Sequence, residues 1–266
     1  MRRFALFLLL FLAFVQVATG QSAPSTASPT STTDPRAAAL ASQAVLALGT
    51  APVTDVTLTG TVTRTVGPDS ESGTFTLKAL GLAQSRMDLY LPSGVFTEVR
   101  TTTTGYPQGS WMLNGNVNAM ADHNCFTDAV WFFPRLSILS GYSLRSNSIV
   151  TFVGQENQAG ASVYHIRFVA QDPTDLTGLN SYLSTEDVYL DSTTLLPVTM
   201  RFNAHPDDNA LIDIPIEVRL SDYRVIGGIA IPFRIQKLLN GMLLLDATVQ
   251  STSLNVGLTN SDFLLQ

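Results

Sequence analysis

The sequence predicts a mainly β (α+β) protein: a curved antiparallel sheet forming an incomplete β-barrel, with an N-terminal helix and a helical lid insertion. Three observations lead there. After residue 55, apolar and polar residues alternate at period two through most of the chain, the mark of strands with one buried and one wet face. Successive runs are separated by a few turn-forming residues, too few for a parallel crossover, so sequence neighbours should pair antiparallel. Charged residues make up only 14% of the chain against roughly 25% in an average protein. Thr and Ser supply the polar surface instead, as at Thr57, Thr59, Thr61 and Thr63, and Thr suits a pleated, half-exposed surface.

The chain begins with Met1-Arg2-Arg3, an apolar run from Phe4 to Val15, and Ala18-Thr19-Gly20 before Gln21. A basic start, an apolar core and a small-x-small site form the layout of a secretory signal peptide, residues 1–20. The run falls short of the about 20 apolar residues that a spanning helix needs. No Cys follows the cleavage site, so no lipid-modified N-terminus is expected. Residues 21–33 are Ser, Thr, Ala, Pro and Gln, with too little apolar surface to offset the entropy of ordering, and read as a disordered linker. A single domain, residues 34–266, follows. Asp34-Pro35 supplies a helix cap and a first-turn proline, and Gly49 a stop. Ala37, Leu40, Ala41, Ala44, Val45 and Leu48 between them fall on one stripe, predicting a short amphipathic helix.

Val56, Leu58 and Val62 open the strand series. Gly67-Pro68-Asp69-Ser70 turns the chain into Thr74 to Leu80, then Arg86 to Leu91; Pro92-Ser93-Gly94 leads into Val95 to Thr101, completing a meander. From Asn114 to Leu139 the alternation is lost and large apolar residues crowd around Trp131, Phe132 and Phe133. One or two helices interrupted at Pro134 are expected there. Strands resume at Ser148 to Gly154 and Ser162 to Ala170, with a helical turn expected after Asp172-Pro173. Further strands follow around Val188, around Val198 to Asn203, and from Ile212 to Leu220. Gly227-Gly228 then turns into Ile229, Ile231, Phe233 and Ile235, and Asn240-Gly241, a strong hairpin signal, into a last strand through Leu254. Pro215 and Pro232 each remove a ladder donor and should mark an edge, bulge or bend. Ten or eleven strands are too many for one flat sheet; a curved, incompletely closed barrel covered by helices fits, and a two-sheet sandwich is the competing arrangement.

The stretch Val188-Tyr189-Leu190-Asp191-Ser192-Thr193-Thr194-Leu195-Leu196-Pro197 and the stretch from Asp222 through Gly227-Gly228 to Ile235 resemble two hairpins of the periplasmic lipoprotein-carrier, LolA-like, fold, as does the order of signal peptide, helix, meander, helical insert and strand series. The resemblance implies a half-barrel with a helical lid over an apolar cavity that holds acyl chains. On it rests the expected function: an exported, periplasmic or extracellular, non-enzymatic carrier or binding protein for a lipid or lipidated protein, monomeric and without a cofactor. A cell-envelope module for structure or protein interaction, without a ligand cavity, is the alternative. The expected cavity residues are Trp131, Phe132, Phe133, Leu136, Ile231, Phe233 and Ile235, with His165 and Arg167 at its mouth.

Chemistry leaves few other traces. The net charge of −6 without a basic cluster argues against nucleic acid and anionic membranes as partners. Cys125 is the single cysteine, so no intrachain disulfide forms, and a small buried residue is its expected role. No Gly-x-Ser-x-Gly is present, Gly141-Tyr142-Ser143-Leu144-Arg145 being the nearest, and no catalytic residue is assigned. His205-Pro206-Asp207-Asp208-Asn209, with Asp213, is the best metal candidate, but the composition fits a polar loop better; no metal is expected.

Overall fold

Asp34 caps the first helix, α1 (Pro35–Ala47), its extended backbone letting the carboxylate accept the Arg36 amide at 2.7 Å. The computed structural model describes residues 32–102, 106–141, 148–171 and 174–265; the predicted signal peptide, all but the end of the linker, and Tyr142 to Arg145 lie outside them. That end is tied down. Thr33 Oγ1 donates to the Ser148 carbonyl and accepts the Val150 amide, and the Asp34 amide donates to the Val150 carbonyl. Ala37, Leu40, Ala41, Ala44 and Leu48 form the buried stripe of α1. The helix stops at Gly49, whose φ of +113° and contact with the Gly228 carbonyl leave no room for a Cβ.

Thirteen strands make one sheet. They are β1 (Asp55–Val66), β2 (Asp69–Leu80), β3 (Gln84–Leu91), β4 (Gly94–Thr101), β5 (Gln108–Leu113), β6 (Asn116–Ala119), β7 (Ser148–Gln158), β8 (Ala161–Ala170), β9 (Glu186–Asp191), β10 (Pro197–Ala204), β11 (Ile214–Ile226), β12 (Ile229–Leu239) and β13 (Met242–Leu254). The order is β6-β5-β4-β3-β2-β1-β13-β12-β11-β10-β9-β8-β7, and every pairing is antiparallel. Each strand pairs with its sequence neighbour, apart from the seam between β1 and β13, where Val56 faces Leu254. β6 and β7 are the two edges, so the barrel stays open, as expected, and a two-sheet sandwich does not form.

Register shifts at Thr59/Gly60, Phe152/Gly154 and Lys237/Leu238 add twist and bend the sheet. Pro232 sits opposite Tyr223, beside Asp222 at φ 54°, one of the bends predicted from proline. The Tyr223 hydroxyl donates to the Pro197 carbonyl at 2.6 Å, and desolvation pushes its pKa well up.

The strand count exceeds the ten or eleven expected because β5 and β6 fall in and before a stretch read as helical. Asn114-Gly115, at φ 50° and 81°, is a hairpin turn; β6 is wholly exposed, so no alternation of burial marked it. Helix is confined to a 3-10 turn at Asp122–Phe126 and to α2 (Pro134–Leu139). Pro134 begins α2 and does not interrupt it, since the first turn has no use for its missing amide. β11 starts at Ile214, leaving Ile212 exposed in the preceding loop. A short helix, α3 (Leu179–Leu183), precedes β9.

Residues 120–147 join one edge strand to the other. The described part of this strap crosses the inner face of the sheet, where Val130, Trp131, Phe132, Phe133, Leu136 and Ile138 pack into one core with α1 and the inward residues of the strands.

Candidate functional site

The inner face follows from alternation. On β12, Ile229, Ile231, Phe233 and Ile235 point into the core, and the period brings Lys237 to the same face. On β4 the same reasoning places Phe96, Glu98 and Arg100 inward. All seven residues expected to line a cavity, Trp131, Phe132, Phe133, Leu136, Ile231, Phe233 and Ile235, are buried in this one core, so the structure brings them together.

Two arginines hold the strap. Arg100, itself buried, donates to the Thr127 and Asp128 carbonyls at 3.3 and 3.2 Å, to Thr127 Oγ1 at 2.9 Å and to the Asn124 carbonyl at 2.6 Å. Arg135, on α2, donates to the Val45, Gly49 and Ala51 carbonyls at and beyond the end of α1. Cations belong at a helix C-terminus, where carbonyls lack intrahelical donors. Burial lowers the Arg135 pKa, so the guanidinium depends on these acceptors. Neither residue stood out in the sequence, because their partners are backbone atoms distant along the chain.

The aromatic strap fills the inner face. Between Trp131 and the residues Phe75, Leu77, Leu89, Ile235 and Lys237 the remaining void is about 10 Å³, no more than one water would need. Lys237 Nζ lies 4.4 Å from the Trp131 ring centre, and burial lowers its pKa. A larger space lies outside the core: an open groove of about 360 Å³ beside α1, lined by Arg36, Leu40, Gln43, Tyr164 and Leu195 among others.

His165 and Arg167 are not at a mouth of this core. On β8, Ile166 and Phe168 face the core, which turns His165 and Arg167 to the outer face. His165 bridges Glu156 on β7 and Asp187 on β9, 2.7 Å from each carboxylate, and Arg167 makes a forked pair with Asp187. The ring stacks on Tyr189 at 4.2 Å between centres, Arg201 donates to the Tyr189 hydroxyl, and Glu217 accepts from Arg201 and Arg219. These side chains form a charge ladder across five strands. Burial pulls the His165 imidazole toward neutrality, but its bonds to Asp187 and Glu156 outweigh that and raise its pKa.

His205 is buried; its Nδ1 lies 3.0 Å from the Ile212 carbonyl and 3.7 Å from Asp213 Oδ1, while the Asp213 carboxylate accepts the Tyr182 hydroxyl. Among the described residues no three His, Cys, Asp or Glu side chains are placed to share a metal ion. Cys125 is buried, its thiol 3.7 Å from the Ala121 carbonyl, and burial raises its pKa, the opposite of an activated nucleophile.

No family model matches the chain, and no curated protein matches it by sequence. Solved structures match in fold. An outer membrane lipoprotein-sorting protein domain from Vibrio parahaemolyticus superposes with a TM-score of 0.55 at 13% identity, over 86% of this chain and 96% of that one. A DUF1329 family protein from Desulfovibrio piger gives 0.54 at 13% identity over the same shares. A LolA superfamily protein from Nitrosomonas europaea gives 0.48 at 10% identity, over 86% of this chain and 97% of that one. The open antiparallel sheet wrapped around a helix and a strap is therefore a fold that this chain shares with the first two of these structures.

Proposed function

We propose that the chain is an exported, non-enzymatic carrier or binding protein for a lipid or a lipidated protein. The observation that carries this reading is how the apolar inner face is covered. Among the described residues no second sheet seals it; α1 and one strap do, and the strap's Trp131, Phe132, Phe133 and Leu136 lie where an acyl chain would lie. The likeness in fold to a lipoprotein-sorting domain supports the same reading. The energetics suit reversible exchange. Burying a twelve-carbon chain gains roughly 10 kcal/mol at about 0.8 kcal/mol per methylene, while exposing four large side chains costs about 6–12 kcal/mol, so neither state dominates by much.

One observation favours a second reading. The core is already filled, as a cell-envelope interaction module without a cavity requires. Mild purification followed by native mass spectrometry, and titration with a fluorescent fatty acid, separate the two. A bound amphiphile, or probe uptake that rises in Trp131→Ala, supports the carrier. A protein that is empty and ignores the probe in both forms leaves only the envelope module.

A further inference from the structure

A lysine rarely turns toward an apolar interior without a counter-ion, and Lys237, half-buried, does so at the margin of this core. It follows Ile231, Phe233 and Ile235 on the inner face of β12, two residues before the strand ends at Leu239. Around it stand Val62, Leu77, Met87, Leu245 and the Trp131 indole. Among the described residues no carboxylate lies within 4.0 Å of its ammonium. The acid whose charge reaches it is Glu98, which is engaged with Arg100 at 3.5 Å. What Lys237 has instead is the face of Trp131, a weak substitute for an anion. The indole belongs to the strap, not to the sheet, so whatever displaces the strap takes away the ammonium's one close neighbour of opposite polarity.

We propose that Lys237 is the head-group residue of the binding site: an anionic amphiphile, with a carboxylate or phosphate head, pairs with its ammonium while the chain runs along Ile235 and Phe233 in place of the Trp131 side chain. This inference rests on the carrier reading and adds to it the charge class of the ligand and its direction in the site. The head lies toward the Asn240-Gly241 end of β12, where it stays near solvent, and the tail toward the middle of the sheet. A neutral head group offers the ammonium a hydrogen-bond acceptor but no counter-charge, a cost that falls on a half-buried charge. Burial, which lowers the proton affinity of Lys237, is offset once an anion arrives.

The test uses the full mature chain and four probes of equal length: dodecanoate, dodecyl phosphate, methyl dodecanoate and dodecanol, each competing with a fluorescent fatty acid. Wild type and Trp131→Ala should bind the two anions at least tenfold tighter than the neutral pair. Which anion binds tighter tells a carboxylate ligand from a phosphate one. Lys237→Met, with its fold checked by circular dichroism, should lose that preference, its affinity for methyl dodecanoate rising because no ammonium is left without a counter-ion, and Lys237→Arg should keep most of it. If all four probes bind wild type and Lys237→Met with the same ranking, the head-group role is overturned and the carrier reading stands. If no probe binds wild type, Trp131→Ala or Lys237→Met, both fall.

Discussion

Arg135→Met is the sharpest test of how the strap is held. Arg135 is 8% exposed, and its guanidinium reaches three carbonyls, of Val45, Gly49 and Ala51. A hydrogen bond to a charged group is worth about 1.5–3 kcal/mol, and a buried acceptor left unmet costs about 1–3 kcal/mol. Against this, Arg135 Nε is buried without a partner, so the guanidinium carries a desolvation cost that methionine removes. The net loss expected is about 3 kcal/mol, far below the sum of three bonds. With a urea slope of roughly 3 kcal/mol per molar, the midpoint should fall by about 1 M, read by Trp fluorescence, to which Trp131 contributes from four residues away. Arg135→Lys should recover only part of the loss, since a point charge cannot serve a fork of carbonyls. A midpoint within 0.2 M of wild type, taking that as roughly the resolution of such a melt, would show that the strap is held by apolar packing alone. Under the carrier reading, the same variant should also take up the fluorescent fatty acid more readily.

Three further outcomes are expected. Gly49→Ala forces a Cβ onto the Gly228 carbonyl at positive φ and should cost about 2 kcal/mol or more, visible as a lower melting temperature; an unchanged melt contradicts the α1–β12 contact. Phe132→Ala removes a side chain 1% exposed and should cost about 3–5 kcal/mol, measured by urea melts, or clearly less if the strap leaves the sheet easily. His165, whose folded pKa is raised by Asp187 and Glu156 against the pull of burial, adds stability that is full below its unfolded pKa of about 6.5 and is lost as pH rises through the folded value. Asp187, whose pKa its bonds to His165 and Arg167 lower against burial, adds stability that is lost as pH falls through its own folded value. Urea midpoints should therefore decline on the alkaline side, and His165→Gln should flatten that decline.

Much of the fold was legible because local rules and long-range packing agree. Asp34 and Gly49 bound α1, and Gly227-Gly228 and Asn240-Gly241 close the hairpins they announce. β5 and β6 were not legible because neither alternates in burial, β5 being half-buried along its length and the edge strand β6 wet on both faces, although Asn114-Gly115 carried the same signal as Asn240-Gly241. Of the site, the apolar residues could be read from pattern. The polar ones could not: His165 and Arg167 depend on which face of β8 is inward, and Arg100 and Arg135 on carbonyls that any residue could present. Lys237 left a trace, a charge falling on the inward beat of Ile231, Phe233 and Ile235, and that interruption was the one sequence signal able to point to it.

The strap begins at one free margin of the sheet and ends at the other, so it is a girdle and not a flap. A flap hinged at one end could swing clear and leave its frame untouched. A girdle cannot: anything thicker lodged beneath it must either slacken the chain between β6 and β7 or draw the two margins to a new separation. Occupancy of the interior would then be written into the curvature of all thirteen strands, and a pair of spectroscopic labels on β6 and β7 would read it from outside.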